Sequence, residues 1–160
     1  DPHYPGELGF DYWLSHTTGF DRSFDLSRNG VLEKFEGDGS EIIVEEAVRF
    51  ITDELERGKP FFIVIWYSAP HGPWDASEED IKPFLGKVDR TSAHAHGEIV
   101  AIDRSIGNLR TSLRELGIAD NTLVWFTSDN GGKNFIIHKN LFYKPLLSKA
   151  FEHVISIDYE

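Results

Sequence analysis

Two uninterrupted apolar runs, separated by one long helical stripe, constrain this chain more than any other feature. Phe61 to Tyr67, FFIVIWY, and Leu123 to Phe126, LVWF, contain no charged or amide residue and are bounded by turn-forming residues. Runs of this length predict strands covered on both faces, as in a parallel sheet. Between them, from roughly Ala93 to Leu116, Ile99, Ile102, Ile106, Leu109, Leu113 and Leu116 recur at intervals of three and four, and Gly117 suits the stop. Arg104, Arg110, Arg114 and Glu115 fall outside that stripe. Ahead of the first run, Val44, Ala47, Val48, Ile51 and Leu55 predict a second amphipathic helix starting near Glu41, with Ser40 as N-cap and Gly58 and Pro60 as its end. The order helix, strand, connection, helix, strand contains a βαβ unit. The expected fold class is therefore α/β, a mostly parallel sheet covered by helices, with the two runs as neighbours or nearly so.

The remaining segments are less regular. Residues 1 to 40 alternate glycines with aromatic islands such as Phe10-Asp11-Tyr12-Trp13-Leu14, and read as an irregular surface excursion in which Asp25 to Arg28 forms a short turn of helix. Residues 75 to 91 read as a polar connection whose acidic patch, Glu78, Glu79 and Asp80, is solvated.

The runs also say where a site belongs. In open α/β sheets, ligands collect beyond the carboxyl ends of the strands. The first run ends at Ser68-Ala69-Pro70-His71-Gly72-Pro73-Trp74, a rigid turn presenting one imidazole, and the second at Thr127-Ser128-Asp129-Asn130-Gly131-Gly132. Asp129 offers an anionic oxygen and Asn130 a neutral carbonyl oxygen, the ligand types that Ca²⁺ and Mg²⁺ prefer. Asp-Asn-Gly-Gly is equally ordinary turn chemistry, and both readings stand at this point.

Bulk properties remove several function classes. A formal charge of −11 and a pI near 5.0 argue against binding nucleic acid or an anionic membrane, since both need clustered Lys and Arg. No apolar run is long enough to cross a bilayer, and no leader pattern opens the chain. The absence of Cys removes disulfides, thiolate zinc sites and a cysteine nucleophile. At 160 residues the chain suits one domain or part of one.

Pro60-Phe61-Phe62 leading into Ala69-Pro70-His71, and the helix from Glu98 to Leu116 leading into Asn121-Thr122-Leu123-Val124 and Thr127-Ser128-Asp129-Asn130-Gly131, closely resemble the sulfatase family of the alkaline-phosphatase-like superfold. Gly6-Glu7-Leu8-Gly9-Phe10-Asp11-Tyr12-Trp13-Leu14 resembles the segment after that family's Lys-Trp-His region. The resemblance covers about residues 5 to 132. It implies hydrolysis of a sulfate ester at a calcium-assisted site, Mg²⁺ being the other possible cation. Asp129 and Asn130 take the family's metal-ligand positions; His71 takes that of the His that contacts sulfate and protonates the leaving oxygen. The implied substrate is a sulfate-ester small molecule or glycan, and the implied compartment is secreted, lysosomal or periplasmic.

The departures are specific. The family's formylglycine nucleophile arises within Cys/Ser-x-Pro-x-Arg, and that pentapeptide, an N-terminal acidic pair and a Lys-x-His motif are all missing here. The chain thus reads as an internal piece: residues 1–132 a partial, incomplete sulfatase catalytic domain, residues 133–160 an unmatched tail whose Lys133, Lys139 and Lys144 cannot be aligned with the family's sulfate-binding lysine. Such a piece is expected to be inactive alone and prone to aggregate, its sheet edges and apolar faces uncovered. The alternatives are a phosphonate or phosphate ester hydrolase of the same superfold, and a noncatalytic remnant or binding module.

Other residues receive bland readings. His94 and His96 are two apart at a frayed helix start and read as solvated or capping residues. His3, His16, His138 and His153 get no role. Trp66 and Trp125 are expected in the core, Pro73 and Trp74 shape the turn beside His71, and Asp103 is expected in a helix-surface salt bridge.

Overall fold

In the computed structural model, residues 5–15 and 23–128 are described. After a 3-10 turn at Pro5–Leu8 come three strands, β1 (Leu14–Ser15), β2 (Ser23–Arg28) and β3 (Val31–Glu36), which form one antiparallel sheet in the order β1-β2-β3. Two residues join β2 to β3, Asn29 with φ 49° and Gly30 with φ 90°, and Arg28 pairs with Val31. Positive φ at both loop residues is what a tight hairpin turn of the right twist requires, and Asn-Gly is the dipeptide that adopts it most readily. This corrects two expectations. Asp25 to Arg28 lies within a strand, not a helical turn, and the opening segment carries regular pairing.

The helices follow their apolar spacing. The first, α1 (Gly39–Glu56), is capped by Asp38, whose side chain accepts a hydrogen bond from the Ser40 amide, so the cap sits two residues ahead of the expected one. Val44, Ala47 and Ile51 of its stripe are buried. A short helix, α2 (Glu78–Ile81), stands where a plain connection was expected, and the long α3 spans Arg90–Glu115 behind the N-cap Asp89. The buried face of α3 in its first half is built mostly from small residues, Ala93, Ala95, Gly97, Ala101 and Ser105, together with Glu98 and Ile102; Ile99 is exposed. Small residues let neighbouring backbone come close. Ala76, Ile81 and Ala93 form the buried cluster there, with Phe84 and Val88 packed against it.

The two apolar runs differ most from expectation. Among the described residues neither is assigned as a strand, and no parallel pairing of the two is present. Each nevertheless alternates in exposure with the two-residue period of extended chain. Phe61, Ile63, Ile65 and Tyr67 are half-buried, whereas Phe62 and Trp66 are 78 % and 87 % exposed. Likewise Val124 and Phe126 are half-buried, and Leu123 and Trp125 are exposed. Trp66 and Trp125 are therefore not core residues, because only one side of each run is covered among the described residues. The Tyr67 hydroxyl meets Ser105 Oγ of α3 at 3.0 Å, which identifies the covered side of the first run as the helical one.

The acidic patch also divides. Glu78 and Glu79 are exposed, but Asp80 is 4 % exposed and receives a two-pronged contact from Arg104 of α3, at 2.6 and 3.0 Å. Arg104 also donates to Glu41 of α1 at 2.5 Å, so one guanidinium ties all three helices together. A planar fork suits this role in a way an ammonium does not.

Candidate active site

His71 sits in the turn that follows the first apolar run, and the turn is cross-linked within itself. The His71 amide donates to the Ser68 carbonyl at 3.0 Å, and Trp74 Nε1 donates to the Pro70 carbonyl at 2.8 Å. Ala69–Pro70 and Gly72–Pro73 are cis. The imidazole is exposed, and its Nδ1 lies 2.7 Å from the Gly72 carbonyl. A carbonyl can only accept, so Nδ1 carries the proton, and Nε2 is the other ring nitrogen.

The turn continues into residues 75–81, which pack on α3. Glu98 lies there, 7 % exposed, and its Oε1 accepts a hydrogen bond from the Asp75 amide at 3.0 Å. Its Oε2 is buried without a hydrogen-bond partner among the described residues. Burial pushes the Glu98 carboxyl up to about 7; the Asp75 amide opposes the shift, and the negative charges of Asp38 and Asp75 add to it. Burial also raises the Tyr67 hydroxyl above its ordinary value, with the Ser105 hydrogen bond working the other way.

Glu98 and its neighbour Gly97 are functional candidates that the sequence reading passed over. The signal was present: Glu98 stands at helical spacing with Ala101, Ile102 and Ser105, a carboxylate inside a stripe of small and apolar residues. Such a group is buried only if something local compensates it.

Asp129 and Asn130 lie outside the described residues, as does the boundary between residues 132 and 133. Among the described residues no group of three or more His, Cys, Asp or Glu side chains is placed to hold a metal. His94 and His96 are half-buried on α3, well inside the helix that begins at Arg90, which corrects their reading as solvated end residues. The His96 ring packs at a tilt of 31° against Phe84, with centroids 5.0 Å apart. Asp103 is half-buried, and its carboxyl is raised by burial rather than lowered as a cationic neighbour would lower it. No helix among the described residues is long and apolar enough to cross a membrane.

The family model described as Sulfatase matches residues 2–139. Human N-acetylgalactosamine-6-sulfatase is 42% identical over 101 residues, a match covering 62% of this chain and 18% of the relative. The endo-4-O-sulfatase of Bacteroides thetaiotaomicron is 27% identical over 165 residues, covering 82% of this chain and 31% of that protein. Among solved structures, that of Ps i-CgsB, also determined in complex with k-i-k-neocarrahexaose, superposes with a TM-score of 0.68 at 25% identity, covering 75% of this chain and 32% of that one. The chain thus spans less than a third of the length of these relatives.

Proposed function

The chain belongs to the sulfatase family, and from that premise we propose that it is part of the catalytic domain of a sulfuric ester hydrolase, with His71 as sulfate contact and proton donor and Asp129 and Asn130 as Ca²⁺ ligands. The observation that carries this reading is the family match over residues 2–139, which includes all three residues. The imidazole arrangement agrees with the role. With Nδ1 held on the Gly72 carbonyl, a protonated His71 presents Nε2–H as the donor to a leaving alkoxide or phenoxide.

The donor chemistry of Asp129 and Asn130 fits a hard cation in part: a carboxylate and an amide oxygen are suitable ligands, but only two of the six to eight that Ca²⁺ takes. When bound, a divalent cation there supplies neutralisation of charge on the sulfuryl oxygens. The chain has no Cys from which a formylglycine could form. The two apolar runs belong, in this reading, to the mostly parallel sheet of an alkaline-phosphatase-like fold, and residues 133–160 follow as a separate tail. The substrate class is a sulfated glycan or small sulfate ester, handled in an exported, lysosomal or periplasmic compartment.

The test is hydrolysis of 4-nitrophenyl sulfate by the longest protein that carries this chain. His71→Ala is expected to lower kcat by about 10²–10⁴-fold, and chelation or Asp129→Ala to abolish turnover. Hydrolysis indifferent to both would overturn the assignment. Preference for a phosphate ester would favour the phosphohydrolase alternative, and binding of sulfated glycan without turnover the noncatalytic one.

A further inference from the structure

The turn bearing His71 is tied to α3 on both sides. Upstream, Tyr67 reaches Ser105 Oγ at 3.0 Å, and Ser105, fully buried, donates in turn to the Ile102 carbonyl at 2.7 Å. Downstream, the Asp75 amide donates to Glu98 at 3.0 Å. Ala76 lies so close to Gly97 that a Cβ at that glycine would sit 2.6 Å from the Ala76 Cβ and 3.0 Å from Ile81 Cγ2. Glu98 and Ser105 are seven residues apart, which on an α-helix is two turns along one face, about 10.5 Å. A single rigid face therefore holds both stems of the turn, and the Trp74–Pro70 bond closes the turn between them.

We propose that this face of α3 is the template that sets the position of His71, with Glu98 as the positioning residue for the downstream stem, Ser105 for the upstream stem, and Gly97 providing the close approach. The proposal rests on the reading of His71 as the proton donor only for its consequence in catalysis; the clamp itself stands on the contacts. A buried carboxylate is a costly way to hold one amide, since an amide side chain of the same shape could also accept. What the carboxylate adds is sensitivity to pH. The charged groups acting on it are Asp38 at the head of α1 and Asp75 in the turn, both acidic, while the buried Asp80 of α2 is held by Arg104. Neither acidic group favours ionisation, so the clamp changes charge near neutral pH.

The experiment is NMR on the ¹⁵N-labelled full chain. The Asp75 amide is expected to titrate with a midpoint near 7, the value to which the Glu98 carboxyl is raised, to keep that midpoint in His71→Gln, and to lose it in Glu98→Gln. Glu98→Leu is expected to raise hydrogen exchange at the Asp75 amide by about tenfold or more and to shift the His71 Hε1 resonance; Ser105→Ala is expected to shift the same resonance. If the leucine variant does not fold, the glutamine variant decides alone, because retention of the Asp75 midpoint in Glu98→Gln overturns the proposal. Unchanged His71 resonances and Asp75 exchange in a folded Glu98→Leu overturn it as well. An intact clamp in a protein that never hydrolyses sulfate esters would sink the functional reading and leave the clamp standing.

Discussion

Glu98 makes the stability of the fold depend on pH in a direction opposite to that of an ordinary surface carboxylate. Its folded value of about 7 lies above the ordinary 4.5, so between these values the folded chain holds a proton that the unfolded chain has released. Its contribution is full below about 4.5 and is lost as the pH rises through about 7. Asp103, also raised by burial, acts in the same sense; Asp89, lowered by its bonds from Ser92, acts in the opposite sense and loses its contribution on acidification. The Tm is thus expected to fall as the pH is raised from about 4.5 to about 7 and to level off above it, and Glu98→Gln to flatten that slope, as a calorimetric pH series would show. A flat wild-type profile would mean that Glu98 is ionised throughout. Arg104 offers a second residue-level test. Removing it takes the cation away from the buried Asp80 carboxylate, which still accepts from Ser77 Oγ, so Arg104→Ala is expected to cost about 2–4 kcal/mol in denaturant unfolding, with Arg104→Lys recovering only part because one ammonium cannot reproduce the fork. Gly97→Ala sets two effects against each other. The helix gains about 1 kcal/mol of propensity, but the new methyl meets Ala76 Cβ at 2.6 Å, and overpacking of a tight contact costs about 1–3 kcal/mol. Net destabilisation is expected.

At the level of elements, the two long helices were legible, and α2 and the sheet were not. Spacing of Val44, Ala47 and Ile51, and of Ile102 and Leu113, predicted α1 and α3 because a helix buries a fixed angular sector, whatever it packs on. The cap of α1 was displaced by two residues, since Asp38 and Ser40 are both good N-caps and only the backbone shows that Asp38 takes the extended conformation, with ψ 127°. Asp38→Ala is expected to lower stability by about 1 kcal/mol, offset in part at alkaline pH because it also removes a negative charge acting on Glu98. The hairpin was signalled by Asn29-Gly30, yet the flanking strands are polar and the β3 exposure pattern leaves Val31 and Leu32 outside, so hydrophobic alternation could not announce it. Replacing Gly30, at φ 90°, with a β-branched residue is expected to weaken the hairpin, read as loss of protection at the β2 and β3 amides; equal protection in a Gly30→Val chain would argue against a turn that depends on positive φ.

Over the whole molecule, Phe62, Val64, Trp66, Leu123 and Trp125 remain exposed on two apolar runs. An exposed apolar surface of this kind is suited to further packing. The isolated chain is expected to self-associate, and Trp66→Lys with Trp125→Lys to shift its sedimentation toward monomer without changing the helical circular dichroism; loss of helix would instead show that the tryptophans support the fold. The sequence by itself determined the two long helices, the turn that carries His71 and the family, because periodicity and short motifs are local properties of the chain. It also placed two strong apolar runs, but apolarity records only what a segment is suited to contact. Which side of each run is covered, that Asp80 is buried while Glu78 and Glu79 are not, and that Glu98 grips the His71 turn were decided by tertiary structure alone, since each depends on residues distant in sequence meeting across the packed face of α3.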